Sequence, residues 1–326
     1  MSNEKLESNL VGTEMSMSDN KANEVGLDKV YGAGDREGDP YLDGLNKSTM
    51  YYNNNKIANN YNFRDFDIVR DLKDRKNFSM TITAKRCTGK SVLLKDLCHK
   101  IKGWYDDVHI WSSTSHLQPD LFDFVKETNV HEQFDEEEFL QIYNKKKDSI
   151  LKLMQKQSDK KKLAHTLLIF DDMITDKVVM TSKAVSSLFT LGRHSNFAII
   201  FITQNFVSIP KLWRTNVDVA IAFFLDNEKD RTNFIDSYLS TRNRGIGRCI
   251  FDNITKESHN CIVCMNNLTS QNPEDLVRKY KASMNVPNFK MAQKNIERSF
   301  LKNTNSRPTG AGSDFMPRIK GGIHLC

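Results

Sequence analysis

Nine consecutive residues, Thr83-Ala84-Lys85-Arg86-Cys87-Thr88-Gly89-Lys90-Ser91, lie between an apolar run at 78–83 and an amphipathic stretch at 91–104. Gripping a polyphosphate takes backbone N–H groups turned inward around the anion and the positive end of a helix beneath it. It also takes a lysine for the outer phosphates and a hydroxyl for a magnesium ion. Gly89, Lys90 and Ser91 are the residue types for that work, and their setting between a strand and a helix is that of a phosphate-binding loop. Residues Ala84, Lys85, Arg86, Cys87 and Thr88 complete the candidate nucleotide contacts. Ala84 stands where glycine is usual, which is tolerable if its φ is negative.

About 80 residues on, Leu167-Leu168-Ile169-Phe170 runs into Asp171-Asp172. Ligands of parallel sheets bind at the carboxyl ends of the strands, so this pair is expected beside the loop. Asp171 reads as a magnesium carboxylate and Asp172 as the group that polarises an attacking water, a position where glutamate is common. Another apolar run, 197–203, ends in Gln204, an amide placed to sense a terminal phosphate. Arg193 precedes that run in Gly192-Arg193-His194. A guanidinium can neutralise a transferring phosphoryl group, often from the next subunit of an oligomer.

The elements that must position these groups follow from the pattern around them. Apolar runs at 78–83, 108–112, 167–170, 197–203 and 217–225 alternate with helical patterns, the mark of a mainly parallel sheet covered on both faces. Residues 135–162 predict a long charged helix, read as a solvated insertion. Residues 248–251 and 261–265 predict a terminal β-hairpin, and 273–284 a helix. Residues 1–60 are polar and Asn-rich without periodicity and are expected to be disordered. The ATPase domain is expected over 61–268, followed by a helix and a basic, partly disordered tail over 269–326. Cys261 and Cys264, with His259 nearby, make half a zinc site at most. On a strand their side chains would face opposite ways.

The 326 residues carry 47 Lys plus Arg against 41 Asp plus Glu, a net charge of +6. That balance suits a polyanion partner without requiring one. Six scattered cysteines predict reduced thiols. No secretory signal or membrane-spanning run is visible, so the protein is not expected to be secreted.

Taken together, the loop 84–91, Ile169-Phe170-Asp171-Asp172-Met173, Gly192-Arg193-His194, Phe201-Ile202-Thr203-Gln204, Ile209-Pro210-Lys211 and Arg214-Thr215-Asn216 resemble the poxvirus-type genome-packaging ATPases of large DNA viruses and virophages. These belong to the FtsK–HerA superfamily. The resemblance runs from about residue 75 to about residue 265. It implies a RecA-like, additional-strand P-loop core that hydrolyses ATP with Mg²⁺ as a homo-oligomeric ring and drives double-stranded DNA into a capsid. It further implies capsid or vertex partners and work at a virus assembly site in the host cell or on the virion. By the same resemblance Lys90, Ser91, Asp171, Asp172 and Gln204 take the roles above, Arg193 is a finger acting on the neighbouring subunit, and Arg214 is a second finger candidate. Two other readings compete: a catalytically degenerate nucleotide-binding capsid-assembly protein, favoured only by Ala84, and a P-loop small-molecule kinase.

Overall fold

Strands made almost wholly of β-branched, aliphatic and aromatic residues need apolar cover on both faces, and this chain supplies it. The computed structural model describes residues 40–73, 75–117, 119–155, 164–239, 243–270 and 272–292. Its centre is an eight-stranded sheet. The strands are β1 (Ser79–Thr83), β2 (Asp107–Ser112), β3 (Val130–His131), β4 (Thr166–Asp171), β5 (Phe197–Thr203), β6 (Val219–Ala222), β7 (Asn260–Met265) and β8 (Val277–Lys281), in the order β3-β2-β4-β5-β1-β6-β7-β8. The first six run parallel; β7 runs antiparallel to both of its neighbours, β6 and β8.

Alternation along the strands separates two core layers, as the two-residue period of a strand requires. Leu168, Phe170, Ile199 and Phe201 lie in one; Leu167, Ile169, Ala198 and Ile200 lie in the other. Strand β5 intervenes between β1, which leads into the phosphate-binding loop, and β4, which ends in the aspartate pair. That intervening strand is the additional strand expected of the fold class.

Four expectations are corrected. Residues 248–251 are not a strand but part of the helix Arg244–Thr255. Ile250 and Ile254 are buried and Ile246 packs partly against the same core, a four-residue period invisible in a four-residue window. The hairpin exists, but β7 pairs with β8, so the helix expected over 273–284 shrinks to Pro273–Leu276 and a strand takes over. Residues 1–60 are not uniformly without structure: Pro40–Asn59 is a helix, and the chain divides into two units after Asn53. Its last turns are held by amides instead of an apolar stripe. Asn253 donates to Asn55 and Asn59 at 3.0 and 2.9 Å, and Asn243 donates to Asn54 at 3.2 Å. Residues 1–39, 156–163 and 293–326, with most of the head expected to be disordered, the end of the insertion and most of the basic tail, lie outside the described residues.

The fourth correction concerns the charged insertion. Helix Glu136–Gln155 begins at Asp135, whose carboxylate accepts from the N–H groups of Glu137 and Glu138 at 2.8 and 3.0 Å. One face of its first half packs on the core instead of being solvated all round: Phe139 is buried beside Trp111 and Phe170, and Tyr143 stacks on Phe197. Lys146 reaches from this helix to the Thr166 hydroxyl at 3.0 Å. Burial pushes its ammonium down to about 8, against the pull of the Asp107 and Asp106 carboxylates. A lysine whose pKa falls on folding weakens the fold while charged. From about 8 toward 10.5 the folded chain holds fewer protons than the unfolded one, so stability rises with pH. Lys146→Met is therefore expected to be the more stable protein near neutral pH by about 1 kcal/mol after solvent screening, or about 2–4 °C in Tm. The gap should close in thermal melts above about pH 8; a gap that stays constant would show that the buried charge is not its source.

Cys261 and Cys264 are buried in opposite core layers, so β7 presents them to different faces and they cannot share a metal. No cluster of three or more potential ligands occurs among the described residues.

Candidate active site

At the end of β1 the buried Ala84 still follows the sheet, its N–H donating to the Thr203 carbonyl at 2.9 Å. It is not among the residues with positive φ; Cys87, at 62°, and Gly89, at 100°, are. The methyl group at position 84 therefore meets no backbone conflict, and the turn that needs left-handed geometry comes three to five residues later. Gly89 precedes the helix Lys90–Lys100 with no side chain capping it. The first N–H groups of an eleven-residue helix are thus left toward the loop, with no acidic residue in the first turn to neutralise their positive end.

Lys90 turns from this first turn to the aspartates. Its Nζ lies 3.1 Å from Asp172 Oδ2 and 3.5 Å from Asp171 Oδ1. Gln204 donates through Nε2 to the same Asp172 oxygen. The carboxyl ends of β1, β4 and β5 thus bring Lys90, Asp171, Asp172 and Gln204 together, although they are separated by up to 114 residues in sequence. Burial pushes the Asp171 carboxyl up, Lys90 pulls it down and Asp172 pushes it up. Its Oδ2 takes a hydrogen bond from Ser112 at 3.5 Å, while its buried Oδ1 is at ion-pair distance from Lys90 but accepts no hydrogen bond. Asp172 follows with a left-handed φ of 58°, a conformation aspartate tolerates better than most residues.

The rest of the loop is more exposed. Lys85 points to Asp226, 2.5 Å away, rather than to the aspartate pair, and Arg86 and Cys87 are exposed. Ser91 is half-buried one residue beyond Lys90. Three residues around the site were not foreseen as part of it. Ser112 ends β2 in register with Asp171, Asp226 holds Lys85, and His259 approaches the Thr88 carbonyl at 3.0 Å.

Arg214 does not join this cluster, and the backbone of Arg193 lies at the other end of the sheet. Arg193 lies in the short turn Gly192–Ser195 that enters the amino end of β5, whereas Gln204 follows its carboxyl end. Seven residues of strand put about 20 Å between those ends. Arg214 sits on the helix Lys211–Asn216 with its guanidinium over the Phe206 ring and its carbonyl accepting from Tyr238 at 3.0 Å. It touches neither Lys90 nor the aspartate pair, and its Nε is buried without a hydrogen bond.

The family described as Poxvirus A32 protein matches residues 65–274, a stretch that contains the whole cluster. The DNA packaging protein OPG160 of Variola virus is 28% identical over 155 residues, which cover 48% of this chain and 56% of that protein. The uncharacterized protein 075L of Invertebrate iridescent virus 6 is 26% identical over 184 residues, 55% of this chain and 69% of that one. The chain spans about half the length of the poxvirus relatives it matches. Among solved structures, the genome packaging NTPase B204 of Sulfolobus turreted icosahedral virus 2 in complex with ATP-gammaS aligns with a TM-score of 0.43 at 18% identity, over 63% of this chain and 97% of that one.

Proposed function

Because the chain belongs to the poxvirus A32 protein family, whose matched relatives include proteins named for DNA packaging, we propose that it hydrolyses ATP and uses the energy to move double-stranded DNA into a viral capsid. One observation carries the reading: Lys90 is shared by Asp171 and Asp172, and Gln204 holds Asp172, at one end of the sheet beneath an uncapped helix start. That arrangement serves phosphoryl transfer to water. The loop amides and helix start bind the polyphosphate, Lys90 follows the outer phosphates, and Asp172, steadied by Gln204, takes the proton of the attacking water.

A magnesium ion fits this donor set. The buried Asp171 Oδ1 accepts no hydrogen bond and lies 3.5 Å from the Lys90 ammonium, so a hydrated cation could take up its lone pairs, and the half-buried Ser91 hydroxyl stands one residue beyond Lys90. Bound there, the ion would neutralise phosphate charge. Ala84, the only support for a degenerate loop, has no strained backbone to signal one.

The protein would act as a homo-oligomeric ring, with Arg193 reaching a neighbour's nucleotide. It would also have capsid or vertex partners and act at the viral assembly site or on the virion. Among the described residues no helix is long and apolar enough to cross a membrane. Contacts to DNA phosphates would be independent of sequence, so affinity should fall linearly on a log–log scale with salt. The expected result is ATP hydrolysis by the purified protein that rises on adding duplex DNA and loses that rise at high salt. ATP bound but never hydrolysed, with or without duplex, would favour the non-enzymatic assembly role instead.

A further inference from the structure

We propose, resting on the nucleotide reading above, that His259 is a positioning residue for the phosphate loop: its Nδ1–H holds the Thr88 carbonyl and thereby aims the Gly89 amide at the bound phosphate. The two atoms are 3.0 Å apart. A carbonyl oxygen can only accept, so Nδ1 must carry the hydrogen. In a planar trans peptide the C=O and the following N–H point in opposite directions. Fixing the Thr88 oxygen toward His259 therefore fixes the Gly89 N–H away from it. This peptide leads into Gly89, the residue just before the helix Lys90–Lys100, where a freely rotating unit would present either its oxygen or its hydrogen to an anion. An oxygen turned inward would repel the phosphate that the neighbouring amides attract.

The loop contains a second device of the same kind. Thr88 Oγ1 donates to the Lys85 carbonyl at 2.7 Å, which by the same geometry sets the direction of the Arg86 N–H. Two of the loop's peptides are thus oriented by side chains, one from within the loop and one from a distant element.

The fold explains how a residue 171 positions away reaches the loop. Strand β7 runs antiparallel to β6, which lies beside β1. Its amino end, where His259 stands, is therefore at the carboxyl end of the parallel strands. His259 itself has a left-handed φ of 66°, and Asn260 after it is anchored in the ladder opposite Lys281 and to the Glu257 carbonyl at 3.1 Å. The ring also closes over Gly89: a Cβ there would come 3.2 Å from His259 Nδ1 and 3.9 Å from Phe223 Cε1. The antiparallel hairpin thus has a role at the site besides covering the sheet.

The test compares the wild-type full chain with His259→Ala and His259→Asn. It measures the dissociation constant for a non-hydrolysable ATP analogue with magnesium, the kcat and KM for ATP, and the Tm without nucleotide. Asparagine tolerates left-handed φ and carries an N–H near the position of Nδ1. His259→Ala should weaken analogue binding about tenfold, mainly through KM, while His259→Asn stays within about threefold of wild type. All three should melt within a few degrees of one another, because the contact is exposed and only the left-handed φ at this position sets alanine apart. If His259→Ala binds as tightly as wild type, or His259→Asn is as weak as His259→Ala, the positioning role is overturned. A wild type that binds no nucleotide overturns the nucleotide reading, and the positioning role with it.

Discussion

Lys90→Ala is expected to lower ATP turnover by about 10²–10³-fold, the usual loss when one preorganised donor to a developing anion is removed. Two effects combine. The outer phosphates lose their cation, and the Asp171 and Asp172 carboxylates, now sharing Lys90 at 3.5 and 3.1 Å, lose the positive charge between them. With Lys90 gone, the Asp171 carboxyl, already pushed up by burial, should climb further and spend more time protonated, weakening its claim on a cation. Arginine would not restore the site, because a planar guanidinium is no substitute for a compact ammonium held between two carboxylates. Phosphate release under saturating ATP is the measurement, and turnover within tenfold of wild type would exclude Lys90 from the reaction. The same variant tests Arg193. If the finger acts across a subunit boundary, mixing Lys90→Ala with Arg193→Ala chains creates interfaces that combine an intact loop with an intact arginine, and some activity should return. Mixed assemblies that form but stay inactive would remove Arg193 from a role on the neighbouring subunit.

That Lys90, Asp171, Asp172 and Gln204 come together at one end of the sheet was legible in the sequence because each belongs to a short local string. A phosphate loop needs its residues in one turn, and an apolar strand ending in Asp171-Asp172 or Gln204 places its polar end by strand geometry alone. The buried parallel strands were legible for a similar reason: cover on both faces forces a continuous apolar run, and β5 occupies the run 197–203 without a shift at either end. Contacts made across the sheet carry no such local mark. Ser112 meets Asp171 across 59 residues, Lys85 meets Asp226 across 141 and Thr88 meets His259 across 171. His259 looked like a stray metal ligand until the antiparallel direction of β7 put it on the loop. The helix ending at Asn59 escaped because amide contacts to Asn243 and Asn253, not an apolar stripe, hold its last turns. At Arg244–Thr255 the run Cys249-Ile250-Phe251 looked like a strand because its helical period shows only with Ile246 and Ile254 included.

Asp172→Asn should be the more informative loss. A carboxylate that removes the proton of the attacking water contributes about 10²–10⁴-fold, and the amide keeps the shape while removing both the charge and the basicity. The phosphate loop and Asp171 remain, so ATP should still bind with KM little changed while kcat falls, the signature of a group that acts only in the transition state. Gln204→Ala offers the contrast: Asp172 keeps its charge and its contact with Lys90 but loses the amide that fixes its Oδ2, so a smaller fall in kcat is expected. Equal falls in the two variants would make Asp172 a structural partner of Gln204 instead of the base. Asp172→Glu separates basicity from placement. Its carboxylate is as basic, but the left-handed φ of 58° at this position suits aspartate better than glutamate by sterics, and the longer side chain must fold back past Gln204. It should therefore recover part of the rate lost in Asp172→Asn. Full recovery would mean that the backbone conformation at the end of β4 does not constrain the base, and no recovery would mean that charge at this position is not what the reaction uses.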